Sequence, residues 1–112
     1  MDINSVLSEA RTIAFEFGLK LRIVDLTNNA INLRLYFNDD LFAQIYANQL
    51  KGKLNQSLVF KNKRLFGADA EGHKYHIHPA ANPKTHIFTE NKENMGSFML
   101  KVLKILDEKD LL

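Results

Sequence analysis

The chain contains no cysteine, which excludes disulfide bonds, thiol nucleophiles and cysteine-based zinc sites. It also lacks any uninterrupted apolar segment near the roughly 20 residues that a membrane-spanning helix needs. Its five glycines are scattered at positions 18, 52, 67, 72 and 96, so no glycine-rich loop is present to cradle phosphate with backbone N–H groups. Ser57 and Ser97 lack the elbow context that exposes a nucleophilic serine. The opening MDINSVLSEA is acidic and amphipathic rather than basic and then apolar, unlike a secretory signal. Cytoplasmic residence without a membrane partner is the resulting expectation. No repeat, linker or low-complexity run divides the 112 residues, so a single domain over 1–112 is expected.

What is present is an ordinary globular composition, 46% hydrophobic and 25% charged. The net charge of +2 hides an uneven distribution. Residues 41–68 hold Lys51, Lys53, Lys61, Lys63 and Arg64 with no acid, whereas 1–19 carry −2 and 90–112 carry −1. A basic zone on a near-neutral chain suits a polyanionic partner. The plainer alternative is a set of solvated turn lysines, split into two patches at opposite sheet ends.

Ile3, Val6, Leu7, Ala10, Ile13, Ala14 and Phe17 recur at helical spacing before Gly18, which predicts an amphipathic helix over 3–17. Met95, Phe98, Met99, Val102, Ile105 and Leu106 predict a second helix over about 94–108. Between them the period falls to two. LRIV, INLRLYF, LFAQIYA, LNQSLVF, RLFGADA and HKYHIH alternate, separated by NN, NDD, QLKGK, NKR and EG. These connections leave no room for crossover helices. The expected fold is therefore α+β in two layers: a six-stranded antiparallel meander with both terminal helices on one face. Pro79 and Pro83 bracket an irregular loop, after which His86, Ile87 and Phe88 are candidates for a short edge strand.

Alternation assigns the faces. Ile31, Leu33, Leu35, Phe37, Leu41, Ala43, Ile45, Ala47, Leu54, Leu58, Phe60, Phe66 and Ala68 point to the helices, provided that the NDD and NKR connections count as odd. The other face carries Asn32, Arg34, Tyr36, Phe42, Gln44, Tyr46, Asn48, Asn55, Ser57, Asp69, Lys74, His76 and His78. A Glu71-Gly72 turn sets Asp69 opposite Lys74 and Gly67 opposite His76. His76 and His78 then project together into solvent, while His73 falls on the opposite side near a strand end.

Three functions follow from that face. His76 and His78 can act as a proton-transfer pair on an RNA phosphodiester, with Asp69 beside them and no metal required. Arg34, Arg64 and Lys74 supply phosphate contacts, and Tyr36, Phe42 and Tyr46 offer stacking faces for unpaired bases. Alternatively His76, His78 and His86 hold a divalent ion, zinc or nickel. The third reading is non-catalytic: Tyr36, Phe42, Tyr46 and Val59 form the centre of a homodimer or partner surface. Asp39-Asp40 reads as a hairpin turn and His73 as a solvated strand-end residue.

The order INLRLYFNDDLFAQIYAN, then LVFKNKRLFGADAEGHKYHIHP, then His86 and a C-terminal amphipathic helix resembles the TumE-like family of small toxin–antitoxin toxins. The likeness covers roughly residues 30–106. Arg64, Asp69, His76, His78 and His86 match its pattern, while Ala70 stands where family members more usually have Asn. The resemblance implies a small bacterial or archaeal toxin, neutralised by a separate helix-turn-helix antitoxin and directed at RNA or the translation machinery.

Overall fold

The computed structural model describes residues 1–112. Its elements run α1 (Ile3–Phe17), β1 (Lys20–Leu26), β2 (Ala30–Asn38), β3 (Leu41–Asn48), β4 (Lys53–Phe60), β5 (Lys63–Glu71), β6 (Lys74–His78), β7 (Ile87–Thr89) and α2 (Met95–Glu108). The α+β meander is as expected, with one correction: the sheet has seven strands, in the order β1 to β7, and every neighbouring pair is antiparallel. The additional strand is β7, which pairs three residues with β6.

Both helices begin on side-chain caps. The Asp2 carboxylate accepts the Ser5 N–H at 2.8 Å, and the Asn94 side-chain Oδ1 accepts the Ser97 N–H at 2.8 Å. Gly18, at φ 65 and ψ 36, ends α1 in the left-handed region, and the Leu19 N–H returns to the Ala14 carbonyl at 2.8 Å. α1 contacts β1, β2 and β3, while α2 contacts β4 and α1, so one sheet face is covered. Ile31, Leu33, Leu35, Leu41, Ile45 and Leu58 are fully buried beneath them, and Phe98 stacks on Phe66 with ring centres 5.5 Å apart.

Strand parity is kept by bulges rather than by odd-length loops. The β2–β3 turn uses Asp39 and Asp40, and Phe37 is the extra residue between the Tyr36–Phe42 and Asn38–Leu41 pairs. The β4–β5 turn is Lys61-Asn62, with Phe60 opposite Lys63. Leu65 is then skipped, which restores Phe66 opposite Leu58. Each bulge shifts the phase by one residue and so holds the apolar set on the helix side. Phe37 and Phe60 are only half-buried at the rim of the core.

One inward position is polar. Gln56 is 1% exposed, and its Nε2 donates to the Glu93 carbonyl at 2.9 Å, tying the segment before α2 onto β4. Lys101 Nζ reaches Glu93 Oε2 at 2.7 Å.

Two predictions follow. Lys61 and Asn62 both adopt positive φ, 48° and 66°, which L-residues adopt at a cost and Asn-Gly adopts readily. Lys61→Asn combined with Asn62→Gly should stabilise the fold by about 1 kcal/mol in urea titration; a loss of stability would contradict the turn assignment. Burial raises the Glu93 carboxyl, but hydrogen bonds from Lys101 and Ser97 and the Lys101 charge outweigh it, holding the group below its ordinary 4.5. A carboxylate depressed in the fold contributes stability above its unfolded pKa, lost as pH falls through the folded value. Stability should therefore decline below about pH 4.5. Glu93→Gln should flatten that decline and cost no more than about 1 kcal/mol at neutral pH.

Candidate functional site

The last hairpin sets the site. Its turn is Gly72-His73, with Glu71 opposite Lys74. Gly72 takes the first turn position at φ 59, a conformation that favours glycine there over Glu71. The expected pairings are corrected by two residues: Asp69 lies opposite His76, not Lys74, and Gly67 lies opposite His78, not His76. A shift of two leaves every side chain on its assigned face. His73 is an exposed turn residue.

The slip brings Asp69 to the histidines. One carboxylate oxygen, Asp69 Oδ2, lies 3.1 Å from His76 Nε2 and 3.1 Å from His78 Nε2. His86 closes the group from the loop after β6, its ring centre 4.9 Å from that of His76 and 4.3 Å from that of His78. One ligand nitrogen from each of the three imidazoles lies within 4.8 Å of the others.

The two strand histidines are not equivalent, and here the expectation of joint solvent exposure is corrected. The His76 side chain remains 24% exposed, but His78 is only 3% exposed. What covers His78 is the 79–86 loop and not a helix: its Nδ1 lies 2.9 Å from the Pro83 carbonyl. A carbonyl only accepts, so Nδ1 carries the proton and Nε2 faces Asp69. In a neutral imidazole that Nε2 is a bare lone pair directed at a carboxylate oxygen. Either a second proton, giving an imidazolium–carboxylate pair, or a metal cation resolves the repulsion. Donation from one imidazole nitrogen to a backbone carbonyl is also the usual way a metal-binding histidine is oriented. Tetrahedral zinc, with bonds of about 2.0–2.1 Å, sets its donors about 3.3–3.4 Å apart. The Asp69–His76 and Asp69–His78 separations of 3.1 Å come close to that spacing. His76, His78 and His86, whose ligand nitrogens lie within 4.8 Å of one another, form a group that could hold an ion.

With both nitrogens of His78 engaged, the imidazoles that a dissolved substrate can touch are His76 and His86. Their rings stack at 4.9 Å.

The surrounding residues divide into three groups. Arg64 lines a groove of about 590 Å³ together with Lys63, Lys84, Pro83, His78 and His86. Lys74 lies on the other side of the cluster, in a depression shared with Lys51, His73 and His76, and His86 borders both. Arg34 and the aromatics form the third group. The Arg34 guanidinium sits 4.4 Å above the Phe42 ring, and its Nη1 donates to the Tyr36 hydroxyl at 3.2 Å. Phe42 is itself buried, so the expected stacking face there is already taken by arginine. The hydrogen bond from Arg34, followed by the nearby Arg34 and Arg22 charges, holds the Tyr36 hydroxyl below its ordinary 10.0 despite an opposing desolvation effect. Tyr46 accepts from Asn48 Nδ2 at 3.3 Å and keeps a half-exposed ring.

Lys63 and Pro83 are expected from the sequence only as part of the basic zone and of the irregular loop, and Lys84 is not singled out there. The run NPKTH contained the signal, because it places a cation and a rigid turn just before His86, but the path of the loop set their positions.

Comparison with protein-family models, with curated proteins and with solved structures finds no match. No helix is long and apolar enough to cross a membrane.

Gly67 is the point at which this geometry is most easily tested. A Cβ there would meet Gln56 O at 3.2 Å and His78 Cδ2 at 3.3 Å. Gly67→Ala should displace the His78 ring, cost about 1–3 kcal/mol, and shift the His78 and His86 ring signals in NMR spectra. Unchanged ring signals would contradict the packing described.

Proposed function

We propose that this protein is a toxin-like, RNA-directed ribonuclease whose reactive centre is a divalent metal, zinc or nickel, held by Asp69, His76, His78 and His86. The observation that carries the reading is the His78 imidazole. Its Nδ1–H is committed to the Pro83 carbonyl, and its Nε2 is 3.1 Å from a carboxylate oxygen that also meets His76. Nitrogen and oxygen donors from three imidazoles and one carboxylate suit zinc and nickel. A bound ion supplies Lewis-acid polarisation of a phosphoryl oxygen and a readily deprotonated water.

The chain's own residues do the remaining work. Lys63, Arg64 and Lys84 neutralise the phosphate backbone beside the centre. Pro83 fixes the His78 tautomer. His86 is exposed at the mouth of the groove and supplies the ligand that completes the set from the loop side. The resemblance to TumE-like toxins supplies the biological setting: a cytoplasmic protein neutralised by a small DNA-binding antitoxin.

A metal-free version keeps the same residues with different roles. The short Asp69–His78 contact then is an imidazolium–carboxylate pair, and Asp69 orients His76 as the base.

Titration calorimetry and mass spectrometry on tag-free protein test the proposal. One zinc or nickel per chain is expected, with affinity reduced about 10–100-fold or more in His78→Ala and falling as pH drops because the imidazoles must be unprotonated to bind. Cleavage of single-stranded RNA should stop on chelation and return with metal. Cleavage that survives chelation but is lost in His76→Ala would select the metal-free version. Neither metal binding nor cleavage would overturn both.

A further inference from the structure

Next to the cluster the open face changes character. Strand register places Asn55 opposite Asp69, which is opposite His76, and Ser57 opposite Gly67, which is opposite His78. With about 5 Å between adjacent strands, Asn55 and Ser57 lie one strand from Asp69 and two from the histidines. Together with Gln44, Tyr46 and Arg34 they line a shallow depression of about 450 Å³. Phe42, Val59, Asn62 and Arg64 complete the lining, so amides and a hydroxyl, which both donate and accept, stand beside apolar and cationic groups.

This depression and the cationic groove are joined. Arg64 lines both. Its stem crosses Gly67, where a Cβ would lie 3.5 Å from Arg64 Cδ, so the missing side chain keeps the passage between them low. The two linings together contain Arg34, Lys63, Arg64 and Lys84 and no carboxylate. The depression also holds two side chains with buried polar atoms that find no partner within the chain, Arg34 Nε and Asn55 Oδ1.

We propose that the depression is a subsite for one unpaired nucleobase of a single-stranded RNA whose phosphate rests against Lys63, Arg64 and Lys84. The inference rests on the RNA-directed reading and adds to it how the strand is held and read. Gln44 Nε2 already donates to Asn32 Oδ1 at 2.9 Å and Asn55 Oδ1 is buried, so the Gln44 carbonyl oxygen and the Asn55 amide nitrogen are the groups left to meet a base edge, and the Tyr46 ring gives a stacking surface at the rim. Gln44, Asn55 and Ser57 give a neutral planar ring polar partners, and Arg34 and Arg64 in the same lining favour the anionic backbone that carries it. In a duplex those base edges are already paired, so the subsite selects single strands.

The test is fluorescence anisotropy of the full chain with short 2′-O-methyl RNA, which cannot cleave through its 2′ oxygen. Homopolymers of the four bases are compared with a strand in which the bases are removed. The intact strands should bind roughly tenfold more tightly than the base-free strand, and the four homopolymers should differ among themselves. Asn55→Ala and, independently, Tyr46→Ala should bring binding down to the base-free level while zinc stoichiometry stays at the wild-type value. Equal binding of intact and base-free strands, with Lys63→Glu and Lys84→Glu still weakening both, would overturn the base subsite and leave the phosphate groove standing. Absence of binding to any strand by protein that still takes up zinc would overturn the RNA reading itself. The base-free comparison needs no variant, so a folding failure in Asn55→Ala does not remove the test.

Discussion

Everything at the site depends on strand phase. A sheet covered on one side must send alternate residues to opposite faces, and one unabsorbed residue would exchange the core for the open face. Here the compact turns at Asp39-Asp40 and Lys61-Asn62 would each cause that exchange, and Phe37 and Leu65 cancel it as bulges. The second cancellation matters most, because it sits immediately before Gly67, Asp69 and the histidine hairpin. Without it Phe66 would leave the core, and Asp69 would point toward the helices.

Phase was readable in the sequence, but register and loop path were not. The alternation in INLRLYF and LFAQIYA separates Leu33 and Leu35 from Arg34 and Tyr36 without reference to any contact. The requirement for odd connections at NDD and NKR was likewise visible as a parity condition, even though bulges rather than loop length met it. The EG turn failed for a local reason: Gly72 favours the first turn position, which moves the pairing by two and exchanges Lys74 for His76 opposite Asp69. An error of two cannot alter a face but does alter a partner. The cover on His78 was beyond reach, because it depends on where the Pro83 carbonyl arrives after five residues of irregular chain. Nothing in the composition of PAANP specifies that position.

The chemistry reflects the same division. Residues on the strands are held rigidly: Asp69 and His76 face each other across a ladder pair, and His78 packs over Gly67. Those from the loop, His86 and Lys84, are exposed and complete the centre from outside. A site built in this way has a fixed floor and a separately attached wall. Its charge pattern is similarly split, with Lys51, Lys74 and Glu71 on one side of His86 and Lys63, Arg64 and Lys84 on the other.

β7 has only three residues, all exposed, and pairs with β6 alone. A terminal ladder so short and so little packed belongs to the part of a fold that opens first in native-state fluctuations. His86 directly precedes it, so the position of the third imidazole depends on that edge strand. The margin of the sheet and the third imidazole therefore share one short attachment to β6.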